Sequence, residues 1–338
     1  MNTEEKEAPP QDLTQEQLLA MYRRMRLIRG FENTAQKHFE AGEIAGFLHL
    51  SQGQEAVPVG TCTALRRDDY ITSTHRGHGD VIAKGCDVKF MFAELYGRTT
   101  GYCKGKGGSM HIADFSQGII GANGIVSGGM PIATGIGLSI KMRATDQVAV
   151  CFFGDGATAE GGFHESMNLA STWQIPVIFV CQNNNYGLSQ PFHRTAHKCE
   201  LSLRAHSYNM PGACVDGMDA IDVYRAVKEA TDLAREGGGP SFIEAKTYRF
   251  LGHYIGDPGA YMPPEEREAW RKRDAILKLG KQLRAWGMLT EDEDEAMGAS
   301  VEDELKAGIE YARTSPSPAA EEALTDLYVH FDYAGNPL

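Results

Sequence analysis

The chain of 338 residues holds no run of the roughly 18 consecutive apolar residues that a membrane span needs. It also lacks basic clusters. Lys and Arg number 33 against 45 Asp and Glu, a net charge of −12. Such a chain is a poor candidate for duplex nucleic acid or an anionic bilayer, although one local basic patch would still hold a phosphate. Paired cysteines are missing too. Cys62, Cys86, Cys103, Cys151, Cys181, Cys199 and Cys214 are scattered and form no CxxC, which argues against a disulfide framework or a zinc site. Several lie in apolar runs and read as reduced, buried side chains of a cytoplasmic protein. His193, His197 and Cys199 have no fourth ligand nearby, so zinc is not expected there. No internal repeat is present. Met1–Asp12 is acidic with a Pro pair, unlike a secretory or transit peptide, and reads as a frayed tail.

What is present is an ordinary globular balance, 42% apolar and 23% charged. The length suits two domains or one large α/β domain with helical additions. Thr14 and Gln17 make a capping-box pattern ahead of Leu18, Met21, Tyr22, Met25 and Ile28, which predicts a helix running to about Ala41, with Gly42 as its stop. Residues 85–146 are glycine-rich and end in a small-residue helix. Val148–Phe153 reads as a buried strand, Gly154-Asp155-Gly156 as a tight turn, Gly161–Trp173 as a helix and Val177–Cys181 as a second strand. That is a βαβ unit, so the strands are parallel. Ala220–Arg235 reads as a helix, Ser241–Ala245 as a third strand, and the charged region from Pro263 as helical. The acidic run Glu291–Glu295 suits a helix N-terminus.

Asp155 follows the first strand of this unit and Asn184 the second. Adjacent parallel strands end on one edge of the sheet, where open α/β sheets bind ligands. A carboxylate and an amide oxygen suit magnesium, and the glycines let backbone amides approach a phosphate. GDGA…QNNNY therefore reads as a metal-bridged diphosphate site. Two alternatives stand beside it. One is a structural turn with an Asn-rich loop. The other is a nicotinamide site, since Gly154–Ala159 fits GxGxxA, but no acid ends the second strand to hold a ribose.

The pairing of GDG with a later NN resembles the thiamine diphosphate signature. With FLHLSQGQEA, THRGHG, GKGGSMHIAD, GANGIV and YRFLGHYIGDPGAY in order, residues 18–266 resemble the α subunit of the decarboxylating component of 2-oxo acid and acetoin dehydrogenases. The resemblance implies the thiamine-diphosphate-binding α/β fold, with a mostly parallel sheet flanked by helices, an N-terminal helix and a helical C-terminal extension. It implies boundaries at 1–13 for the tail, 14–262 for the cofactor domain and 263–338 for the extension. Asp155, Asn184 and the Tyr186 carbonyl match magnesium ligands. Gly154, Gly156, Ala157 and Arg76 match the diphosphate site, and Gly124 and Val126 contacts to the aminopyrimidine and the bend of the cofactor. His49, His75 and His253 match active-site positions, and Arg249 a basic residue of the closing loop. His78 and His111 are left as structural.

The resemblance implies a second, pyrimidine-binding domain at the cofactor site, and only one diphosphate-binding unit is found in this sequence. The resemblance also implies that a β subunit supplies that domain in an α2β2 assembly, and that the acyl fragment passes to a lipoyl group on an acyltransferase component. Met110, Ile125, Met130 and Ile132 either pack across that interface or are buried within this chain. His75 stands where mitochondrial pyruvate dehydrogenases carry Tyr, Tyr254 where they carry a phosphorylatable Ser, and Met262 where Arg is usual. The segments around His75 and Tyr254 resemble acetoin dehydrogenase α subunits and favour acetoin as substrate over pyruvate, with branched-chain 2-oxo acids next, whereas Met262 removes one expected loop contact.

Overall fold

The structure, a computed structural model, describes residues 8–197 and 200–326. Strands β1 (Tyr70–Thr74), β2 (Ile119–Asn123), β3 (Ala149–Gly154), β4 (Val177–Asn183), β7 (Gly212–Asp216) and β8 (Ser241–Lys246) form one sheet in the order β2-β1-β3-β4-β8-β7. Every pairing in it is parallel. Two two-residue strands, β5 (Tyr186–Gly187) and β6 (Gln190–Pro191), make a separate antiparallel ladder. The helices are α1 (Gln15–Glu40), α2 (Ala56–Thr63), α3 (His78–Lys84), α4 (Val88–Leu95), α5 (Gly129–Arg143), α6 (Gly161–Trp173), α7 (Ala220–Arg235), α8 (Pro264–Arg271), α9 (Ala275–Ala285) and α10 (Glu291–Thr314). No helix among the described residues is long and apolar enough to cross a membrane.

The helix starts follow local chemistry. Thr14 accepts from Gln17 N at 3.2 Å while Gln17 Oε1 accepts from Thr14 N at 2.9 Å, so two otherwise orphaned amides are satisfied. Thr290 and Glu293 repeat the device before α10, whose first turn holds Glu291, Asp292, Glu293 and Asp294. Asp219 caps α7. Just before α1, Leu13 is buried and Asp12 pairs with Arg225 at 2.9 Å.

Strands of a doubly covered parallel sheet bury both faces, and here alternate residues sort into two cores. Val148, Val150, Phe152, Ile178, Val180 and Ile243 pack on one side with α1, α2, α4, α7, α9 and α10. Ala149, Cys151, Phe153, Val177, Phe179 and Phe242 pack on the other with α5, α6 and the turn Leu201–Tyr208. On that side α5 approaches closely: a Cβ on Gly137 would meet Val177 Cγ2 at 2.4 Å. β1 and β2 carry no clear strand pattern. Thr72 and Ser73 in β1 are buried all the same, because the strand lies between β2 and β3.

Candidate active site

A cavity of about 480 Å³ opens beyond the carboxyl ends of β1, β2, β3 and β4. From β1 the chain steps outward to β2, then crosses back to β3 and on to β4, so the order reverses where β1 meets β3. Such a switch point leaves a crevice between diverging connections. Each strand end delivers a segment into it: Thr74–Arg76 from β1, Asn123–Ser127 from β2, Gly154–Glu160 from β3, and Gln182 and Asn184 from β4. The residues matched to cofactor, metal and catalytic positions all line this one cavity: His49, His75, Arg76, Gly124, Val126, Gly154, Asp155, Gly156, Ala157, Asn184, Tyr186, Arg249 and His253.

Gly154 pairs with Gln182 across β3 and β4, so Asp155 and Asn184 leave neighbouring strand ends. Asp155 is 1% exposed, and its Oδ2 has no hydrogen-bond partner. Burial pushes its carboxyl up to about 6. Asn184 Oδ1 accepts from Tyr186 N at 3.2 Å, and its Nδ2 donates to Gln54 Oε1 at 3.1 Å. A Cβ on Gly154 would meet nothing within 4 Å, so the backbone here faces open cavity.

Two guanidiniums line the same space. Arg76 donates to the carbonyls of Leu50 (2.6 Å) and His253 (2.7 Å), and Arg249 to Leu251 O (3.0 Å), Leu188 O (3.1 Å) and Tyr261 Oη (2.7 Å). Both are buried, and among the described residues neither has a carboxylate partner at ion-pair distance. Burial, with Arg249 nearby, pulls Arg76 down to about 9, and burial also lowers Arg249. Two buried cations facing one incompletely bonded acid leave room for an anion.

The three imidazoles form a compact group. Ring centroids lie 4.8 Å (His49–His75), 5.1 Å (His49–His253) and 5.4 Å (His75–His253) apart. Burial first, then Arg76, lowers each: His49 to about 4, His75 to about 2 and His253 to about 3. They are neutral near pH 7, each with one ring N–H to donate and one bare nitrogen to accept. His49 Nδ1 is buried without a partner.

Sequence reasoning missed the residues that hold this set. Gln54 lines the cavity against Asn184. Asp257 accepts from His253 N (2.6 Å), Gly259 N (2.9 Å) and Tyr261 Oη (2.7 Å), and so shapes the loop below Arg249. Only the GDPG turn pattern hinted at Asp257. Met262 is buried with Tyr186, Met218, Tyr248 and Phe250, and its N–H donates to Gly259 O at 3.0 Å. His78 is wholly buried between Glu32 (3.2 Å) and Ser109 (2.8 Å), and His111 is exposed with Nδ1 at 3.2 Å from Gly107 O. His193 and His197 are exposed, and Cys199 lies outside the described residues. Of the four apolar residues with two open readings, Met130 is buried within the chain, whereas Ile125 and Ile132 are exposed.

The family described as the dehydrogenase E1 component matches residues 23–321. The acetoin:2,6-dichlorophenolindophenol oxidoreductase α subunit of Bacillus subtilis is 47% identical over 327 residues, covering 96% of this chain and 97% of that protein. Its counterpart from Cupriavidus necator is 43% identical over 320 residues, covering 94% and 96%. The pyruvate dehydrogenase E1 α subunit of Porphyra purpurea is 38% identical over 324 residues, covering 94% of each. A parallel sheet with its cavity at the switch point, matched along nearly its whole length, places this chain in the dehydrogenase E1 component family.

Proposed function

We propose that the chain is the α subunit of a thiamine-diphosphate- and magnesium-dependent dehydrogenase that cleaves acetoin and passes the two-carbon acyl unit to a lipoyl group of a partner component. The observation that carries this is the unpartnered, buried Asp155 Oδ2 beside two guanidiniums without carboxylate partners. The donor set fits the cofactor. A divalent cation would satisfy Asp155 and restore its charge, and Asn184 and the Tyr186 carbonyl would complete the protein's ligands. Arg76 and the Gly154–Ala157 turn would hold the diphosphate, with Arg249 close by. Gly124 and Val126 would face the aminopyrimidine. Bound thiamine diphosphate supplies an electron sink for breaking the C–C bond beside a carbonyl.

The chain's own contribution is to orient the substrate and move its proton. Neutral His49, His75 and His253 would meet the substrate hydroxyl or carbonyl, and a neutral imidazole is the form that takes a proton. His75, together with two relatives at 47% and 43% identity named for acetoin, favours that substrate over pyruvate or a branched 2-oxo acid. Ile125 and Val126 line the cavity yet stay exposed, which supports a site completed by a β subunit in an α2β2 assembly. We assign residues 14–262 to the cofactor-binding unit and the region from 263 to an extension packed on it as far as 326, in a cytoplasmic enzyme; residues 327–338, assigned to the same extension, lie outside the described residues.

Two measurements test this. In calorimetry, Asp155→Asn should weaken magnesium-dependent thiamine diphosphate binding by about 100-fold, at the upper end for a lost metal-site partner. Unchanged affinity would remove Asp155 from the site. In a dye-reduction assay of the chain with its β subunit, acetoin should be turned over well above pyruvate and a branched 2-oxo acid. A preference for either acid would keep the cofactor site and reject acetoin.

A further inference from the structure

Glu94 on α4 is 1% exposed and does not line the cavity. Its carboxylate accepts from four backbone amides of the glycine-rich loop. Oε2 takes Cys103 N (2.8 Å) and Gly105 N (2.9 Å), and Oε1 takes Gly107 N (2.8 Å) and Gly108 N (2.9 Å). The loop is thus wound around one buried charge. Its glycines are required by that winding: a Cβ on Gly101 would lie 2.4 Å from Glu94 Oε2, and Gly105, at φ +78°, would clash with Gly97 at 2.5 Å. Immediately after the loop, Ser109 is gripped by His78 at 2.8 Å, and Met110 lines the cavity. His111 then packs toward Gly124, where a Cβ would be 3.5 Å from its Nε2.

We propose that Glu94 is a positioning residue: its carboxylate is the template on which residues 101–111 fold, and it thereby sets the wall of the cavity at the Gly124–Val126 end. The proposal rests on the cofactor assignment above in one respect, that this end takes the flat ring while the Asp155 end takes the diphosphate. Charge-assisted bonds to a carboxylate are stronger than neutral ones, and four of them offset the cost of burying the charge. Glutamine fits the same volume, but its amide group points donors at two of the four amides and breaks the template.

The test uses the chain with its β subunit, wild type and Glu94→Gln. Tryptic cleavage after Lys104 and Lys106, both exposed, should speed up in the variant. Its affinity for magnesium thiamine diphosphate should fall about tenfold, while that for magnesium with inorganic diphosphate stays within about twofold. Gly105→Ala leaves the carboxylate in place and deforms the loop, so it should give the same split even if Glu94→Gln folds poorly. Unchanged cleavage, or an equal loss for both ligands in both variants, would overturn the template role. A wild-type complex that binds neither ligand would overturn the cofactor assignment, and the cleavage rates would then decide Glu94 alone.

Discussion

The two faces of the central sheet are built from alternating residues of the same strands, yet they finish differently. The face that carries Val150, Phe152 and Val180 is closed by several helices from both ends of the chain. Beyond it, α1 is tied to α10 by Arg23–Glu304 (2.6 Å) and to α9 by Arg29–Asp274 (3.0 Å). The face that carries Cys151, Phe153 and Phe179 is covered by α5, α6 and a short turn. Ile132 and Met142 on α5, and Leu169 and Trp173 on α6, are left exposed, as are Ile125 and Val126 at the cavity. Strand alternation secures burial on both sides, but among the described residues more helices pack on the first side than on the second. These exposed apolar side chains are where we propose that the β subunit docks.

The sharpest contrast lies in packing. Phe92 on the thick side is fully buried and stacks on Phe31 at 4.4 Å, so Phe92→Ala should cost about 3–5 kcal/mol in denaturant unfolding. A loss under about 1 kcal/mol would mean that this side is not the rigid one. On the thin side, Ile132→Asp with Leu169→Asp should leave the chain's own unfolding within about 0.5 kcal/mol but end co-purification with the β subunit. Retained assembly would move the partner elsewhere. At the cavity between the faces, Arg76→Ala should weaken thiamine diphosphate binding by about 1.5–3 kcal/mol, and a change below threefold would count against a phosphate contact.

The smallest effect is a pH dependence. The unfolded chain protonates His75 below about 6.5, whereas the folded chain resists until about 2. Stability is therefore lost as pH falls through that window. Asp80 and Asp155, held at about 7 and about 6, act with opposite sign, but equally in wild type and variant. His75→Gln should thus melt closer to wild type at pH 5 than at pH 7.5. A constant gap would show that His75 is not held neutral.

Much of this was legible in the residues. Thr14 with Gln17, the span of α6, the span of α7, and Asp155 with Asn184 all rest on local patterns: a cap, a periodicity, or a turn after an apolar run. β1 and β2 were not legible. Tyr70–Thr74 is rich in hydroxyls and Ile119–Asn123 is short, and their strand character comes from neighbours distant in sequence.

The sequence alone determined the βαβ unit, the helix caps and the residue types of the proposed metal and diphosphate site, because each depends on chain neighbours or on the chemistry of one side chain. Only the tertiary structure decided that Asp155 keeps an unpartnered oxygen, that the three imidazoles stay neutral, that Asp257 and Glu94 shape the loops, and that α5 and α6 leave Ile132, Met142, Leu169 and Trp173 exposed. Burial, charge proximity and the company of a backbone amide are properties of space around an atom, and chain order does not contain them.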